Sequence, residues 1–148
     1  MKTLFLCGLV LLFVLFGCEK QPTDIGNVPD EIVFVTDKLF YTSADTLQLR
    51  LINNSESGII IGLRCGGYLE MFYQKKEDDH WSENLWFSYM SLRCVTVVDT
   101  VPRNETFFYP LPADMFDSTG IFRLLVGVYD QETDSSMTIF SNPFKIVE

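Results

Sequence analysis

Apolar and polar residues alternate along much of this chain with a period of two. The cleanest stretch is Thr46 to Asn53. There Leu47, Leu49 and Leu51 fall on one side, and Gln48, Arg50 and Ile52 on the other. Successive side chains of a strand point to opposite faces, so this pattern predicts a half-buried β-strand. Glu31 to Thr36 (EIVFVT) is β-branched and apolar and predicts an earlier strand. Asp37 to Ala44 reads as a turn between the two. After the turn residues 53–58 (NNSESG), Ile59 to Cys65 predicts the next strand, ended by Gly66-Gly67. In Tyr68 to Gln74, residues Tyr68, Glu70 and Phe72 share one face, and Leu69, Met71 and Tyr73 the other. Lys75 to Asp79 reads as a charged hairpin tip, with His80 and Trp81 opening the return.

Residues 83–92 are less regular and crowd Leu85, Trp86, Phe87, Tyr89 and Met90 together. Arg93 to Val98 is strand-like, and residues 102–105 (PRNE) predict a turn. Thr106 to Tyr109 is expected to stop at Pro110, because proline lacks the ladder N–H. Ala113 to Ser118 has the look of one helical turn. Ile121 to Asp130 (IFRLLVGVYD) is the most apolar run outside the N-terminus and predicts a central strand. Met137 to Phe140 and Phe144 to Val147 close the chain around a bend at residues 141–143. This gives roughly seven to nine short strands with no amphipathic helix, the pattern of an antiparallel two-sheet sandwich, with a closed barrel as the alternative.

The N-terminus obeys a different rule. One lysine, Lys2, precedes an apolar run from Leu4 to Phe16, which is shorter than the roughly 20 residues of a comfortable membrane span. A charged start, a short apolar stretch and a small residue at the cut form a secretory signal peptide. Leu15-Phe16-Gly17-Cys18 resembles a bacterial lipobox, although Phe16 stands where that motif has a small residue. The resemblance implies cleavage after Gly17 and acylation of Cys18, which would anchor the chain to a membrane of the bacterial cell envelope. The expected division is therefore 1–17 signal peptide, 18–30 lipidated cysteine and tether, and 31–148 folded domain. The tether holds Pro22, Gly26 and Pro29 and is nearly free of apolar residues.

Composition narrows the function. The net charge of −9 disfavours phosphate backbones, so nucleic acid is not an expected partner. Of four cysteines, Cys7 leaves with the signal peptide and Cys18 is taken by lipid. Cys65 and Cys94 remain as a pair in an oxidising compartment, where a disulfide is expected; two buried thiols are the alternative.

Short motifs along residues 31–148 resemble those of bacterial immunoglobulin-like domains. They are Leu47, Leu49 and Leu51 followed by residues 53–55 (NNS), then residues 65–68 (CGGY) ahead of Trp81. The turn at residues 102–105, residues 120–124 (GIFRL) and residues 141–144 (SNPF) complete the set. Phe122 replaces the tyrosine of that pattern, removing a hydroxyl that would tie down a corner. The layout is also similar to the intracellular proteinase inhibitor family of bacilli. The resemblance implies a fold, and neither catalytic residues nor a cofactor.

Chemistry for catalysis is sparse. His80 is the single histidine, beside Asp78 and Asp79 on an expected hairpin tip, and reads as a solvated turn rather than a metal ligand. No catalytic, metal or cofactor residues are assigned. Trp81, Trp86, Phe87 and Tyr89 are the candidate ligand-binding residues, since exposed aromatics suit protein or glycan partners. The competing expectation is that these rings fill the core. The sequence thus points to an anchored, non-enzymatic binding or accessory module. A proteinase inhibitor and a purely structural envelope component are the alternatives.

Overall fold

A computed structural model describes residues 32–148. The signal peptide, Cys18 and the tether lie outside the described residues. Thirteen strands are formed: β1 (Ile32–Thr36), β2 (Phe40–Thr42), β3 (Thr46–Asn53), β4 (Ile59–Arg64), β5 (Tyr68–Leu69), β6 (Met71–Glu77), β7 (His80–Trp81), β8 (Leu85–Trp86), β9 (Thr96–Val101), β10 (Thr106–Pro112), β11 (Gly120–Asp130), β12 (Ser135–Phe140) and β13 (Phe144–Val147). Four of these are only two or three residues long, which leaves nine substantial strands. Two single 3₁₀ turns, Ser88–Ser91 and Ala113–Met115, are the helical content among the described residues. No helix there is long and apolar enough to cross a membrane.

The strands form an all-β sandwich. A three-stranded sheet, β1-β3-β10, faces a ten-stranded sheet built around β11. β11 has β12 and β13 on one side, and β4 and β6 on the other. The first, second and sixth long strands of the domain therefore face the central strand and its two flanks, an immunoglobulin-like arrangement. The alternating leucines decide how the sheets meet. Leu47, Leu49 and Leu51 are at most 1% exposed and pack with Ile59, Ile61, Met71, Phe122, Leu124, Val126 and Val128 in one core. A ring cluster of Tyr73, Phe87, Phe116, Phe122 and Phe144 fills one end, with centroids 4.8–6.3 Å apart.

Three expectations change. Phe40–Thr42, read as a turn, forms β2, a strand parallel to β13. The strand expected at residues 93–98 instead runs from Thr96 to Val101. β10 runs through Pro110 to Pro112 rather than stopping before them. Pro is tolerated because β10 pairs only with β3 among the described residues. The Ala113 N–H donates to the Asp45 carbonyl at 2.9 Å, which sets the odd-numbered N–H groups of β10 toward β3. The alternation of the ladder places positions 110 and 112 toward the open edge, where no N–H is required.

A tyrosine hydroxyl does tie down a corner, but it belongs to Tyr41. Its O–H donates to Asp37 Oδ1 at 2.7 Å and accepts from the Lys38 N–H at 2.8 Å. The Gln48 N–H joins the same carboxylate at 2.8 Å. Phe122, at the position of the missing hydroxyl, is 1% exposed in the ring cluster.

Candidate binding face

The outward face of the larger sheet collects the side chains that the core does not use. Along β11 the odd positions Ile121, Arg123, Leu125, Gly127 and Tyr129 alternate with the core positions. Register then lines up rows across the strands. Phe140 on β12 opposes Leu125, Leu125 opposes Phe72 on β6, and Phe72 opposes Trp86 on β8. Leu125 is buried yet stands outside the sandwich core cluster. It is covered on the outer face, within this aromatic row. Trp86 meets Phe72 edge to face, with centroids 4.7 Å apart, and remains 63% exposed.

The neighbouring row carries charge. The Arg123 guanidinium lies 4.4 Å from the Trp81 ring centroid and 4.4 Å from that of Phe140. Stacking a guanidinium on two rings uses its planar, weakly hydrated faces and leaves its edge N–H groups free. Its Nε donates to Gln74 Oε1 at 2.8 Å, and Gln74 Nε2 donates to Asn84 Oδ1 at 2.9 Å. Burial lowers the Arg123 pKa from its ordinary value. Lys76 stands opposite Trp81 in the β6–β7 hairpin.

A cleft of about 420 Å³ opens on the same face where β4 diverges from β11. Its lining includes Gly62 and Gly127, between Ile60 and Tyr129 on one side and Thr96 and Thr138 on others. A Cβ on Gly127 would meet nothing within 4 Å, whereas one on Gly62 would come within 2.6 Å of Glu70 Oε2. The Glu70 carboxylate accepts from the Thr96 hydroxyl and stands 3.9 Å from Arg64. Arg64 in turn donates through Nη2 to the Leu92 carbonyl at 2.7 Å, while its Nε has no partner.

The disulfide holds this side together. Cys65 and Cys94 are bonded, with Cα atoms 5.2 Å apart. They sit where β4 leaves the sheet and just ahead of β9, whose register with β4 runs from Arg64–Thr96 to Ile59–Val101. Cys65 (φ 54°) and Gly66 (φ 72°) are both left-handed, and this reverses the chain into β5.

Of the four sequence-selected aromatics, the structure keeps two on the face. Trp86 is exposed and Trp81 is half-buried beneath Arg123. Phe87 and Tyr89 are corrected to core residues, at 1% and 4% exposed. Phe87 packs against Tyr73 and Phe116, and the Tyr89 hydroxyl donates to the Leu69 carbonyl at 2.8 Å. Burial raises the Tyr89 pKa. Sequence reasoning missed Phe72, Phe140 and Arg123 as members of the face. Period two gives Phe72 and Arg123 outward positions, but only cross-strand register brings them together. His80 lies at the β6–β7 hairpin, exposed and 3.8 Å from Glu77. Among the described residues no group of three or more His, Cys, Asp or Glu is placed to hold a metal.

No family model matches the chain. No curated protein matches it either. Among solved structures, one described as Northeast Structural Genomics Consortium target SoR45 is similar over 78% of this chain and 81% of its own, at 13% identity and a TM-score of 0.39. A bacterial immunoglobulin-like domain from the M. primoryensis ice-binding adhesin is similar over 78% of this chain and 96% of its own, at 9% identity and a TM-score of 0.36. Scores at this level assign the chain to no family.

Proposed function

We propose that this chain is a lipid-anchored, non-enzymatic module of the bacterial cell envelope that binds a protein or glycan through the outer face of its larger sheet. The anchor reading rests on the sequence, on Leu15, Gly17 and Cys18 beneath a short apolar run. The binding reading rests on one observation: Trp86 stays 63% exposed on the same sheet face as a guanidinium held against Trp81 and Phe140. Large apolar rings left in water next to fixed polar groups are the usual anchors of interfaces, and truncating such a ring costs on the order of 2 kcal/mol of binding.

The test is retention of the full chain on immobilised envelope protein and polysaccharide fractions, alongside Trp86→Ala. The variant is expected to lose most of its retention while its folded state persists. Equal retention of wild type and variant would remove this face as the binding surface. Stoichiometric inhibition of a secreted serine protease by both proteins would replace this reading with the inhibitor one.

A further inference from the structure

Resting on that reading, we infer that the ligand of the outer face is an acidic glycan, with Arg123 receiving a saccharide carboxylate between Trp81 and Phe140. Arg123 is half-buried, and its Nε is committed to Gln74. Its two terminal nitrogens have no protein acceptor within hydrogen-bond distance among the described residues. The ion pairs there are Lys38–Asp45, Arg64–Glu70, His80–Glu77 and Arg103–Glu56. Among the described residues neither Arg123 nor Lys76 has a carboxylate partner, in a chain with 20 acidic residues and 11 basic ones. A guanidinium fixed at Nε by Gln74 and set 4.4 Å from two ring centroids presents a pre-oriented fork, and such a fork fits a carboxylate bidentately. The overall negative charge is screened beyond roughly 8 Å at physiological salt, so the local cations govern the contact.

The rest of the face argues for sugar over peptide. It is the side-chain surface of a sheet whose main-chain groups are spent in the ladder. An extended peptide would therefore find none of the backbone partners that strand addition uses. A saccharide brings its own hydroxyls and an apolar ring face. Trp86 offers an exposed ring, and Asn84 lies beside it in the Gln74 hydrogen-bond chain. Four residues further along β11, about 13 Å away at ~3.3 Å per residue, the cleft at Gly127 offers the hydroxyls of Thr96 and Thr138 and the Glu70 carboxylate. Acceptor and hydroxyl groups there suit a neutral, hydroxyl-rich neighbour. The carboxylate-bearing unit belongs at the Arg123 end, away from Glu70. The cleft volume falls in the ordinary range of small-ligand sites, roughly 300–1,000 Å³.

The experiment titrates the full chain with a trisaccharide of one terminal glucuronic acid and two neutral sugars, and with its methyl ester, which keeps the rings and removes the charge. The acid is expected to bind at least tenfold more tightly than the ester. Arg123→Gln should bring the acid down to the ester's affinity, and Arg123→Lys should recover only part of the difference, because it restores charge without the fork. Trp86→Ala should weaken both ligands. Equal affinity for acid and ester, still lost in Trp86→Ala, would overturn the carboxylate assignment and leave the binding face standing. No binding of either saccharide would overturn the glycan assignment, and the retention assay then judges the face alone. Displacement of the acid by poly-glutamate at equal carboxylate concentration would give the site to acidic peptides and equally overturn it. The acid–ester comparison uses wild-type protein, so the conclusion survives a variant that folds poorly.

Discussion

Trp86 and Phe87 are adjacent in sequence and opposite in environment, and truncating each should separate surface from core within one dipeptide. Phe87 is 1% exposed and packed by the rings of Tyr73, Tyr89 and Phe116 at 4.8, 5.5 and 5.4 Å. Phe→Ala in such a site removes the transfer free energy of the ring and leaves a cavity, for a loss of about 3–5 kcal/mol. Trp86 is 63% exposed, so about a third of its surface is covered, chiefly by Phe72. A tryptophan buries up to ~250 Å², so the covered part is about 90 Å². At ~25 cal/mol per Å² its removal costs at most about 2 kcal/mol. An unfolding entropy of about 2.1 cal/mol/K per residue over residues 32–148 makes 1 kcal/mol worth roughly 4 °C. Phe87→Ala should therefore melt about 12–20 °C below wild type, and Trp86→Ala at most about 8 °C below. Circular dichroism melts of the two variants side by side supply the measurement. A Trp86→Ala melt as low as that of Phe87→Ala would mean that Trp86 is structural, and the binding face would lose its principal ring.

Replacing both Cys65 and Cys94 by serine releases a crosslink across 29 residues of sequence, which the chain-entropy model values at roughly 3–4 kcal/mol. The double variant should melt some 12–16 °C lower, and two freely alkylated thiols in the native wild-type protein would refute the bond itself. The Tyr41 hydroxyl is pushed up to about 12 by burial and by its bond to the Asp37 carboxylate. A pKa raised on folding contributes stability that is complete below the ordinary value near 10 and is lost as the pH climbs through about 12. Melting temperature should thus fall above pH 10, with a shallower slope in Tyr41→Phe; identical slopes would show that Tyr41 is not the titrating group. On the acid side, Asp37 is held below its ordinary value because hydrogen bonds from the Gln48 N–H and the Tyr41 hydroxyl outweigh the upward push of burial. Its contribution is present above the ordinary carboxylate value and should be lost as the pH falls below about 4 in an acid titration followed by fluorescence. Cys18→Ser should shift the chain from the detergent phase to the soluble phase on Triton X-114 partitioning, and equal retention of the variant would reject the lipid anchor.

What the sequence determined by itself is what period two can encode. Leu47, Leu49 and Leu51 announce the core face of β3, and Leu69, Met71 and Tyr73 that of β5 and β6, because alternation is a local property of an extended backbone. The apolar density of residues 121–130 likewise marks the central strand, whose even positions Phe122, Leu124, Val126 and Val128 all enter the core. The pairing of Cys65 with Cys94 is legible from cysteine arithmetic under the expectation of an oxidising compartment, and the two are bonded.

Tertiary structure decided the rest, and for one recurring reason: the deciding partner lies far away in sequence. Phe40–Thr42 is a strand only because β13 lies alongside it, about 100 residues later. Pro110 and Pro112 belong to a strand only because β10 has an open edge. The irregular segment around residues 83–92 carries no period from which to read a face. Only its docking onto β6 turns Trp86 toward water and Phe87 toward the core. Arg123 gains its two rings because β12 flanks β11 on one side and β7 is brought near across β6 on the other. Periodicity tells a side chain which way to point, but long-range register decides what it meets there.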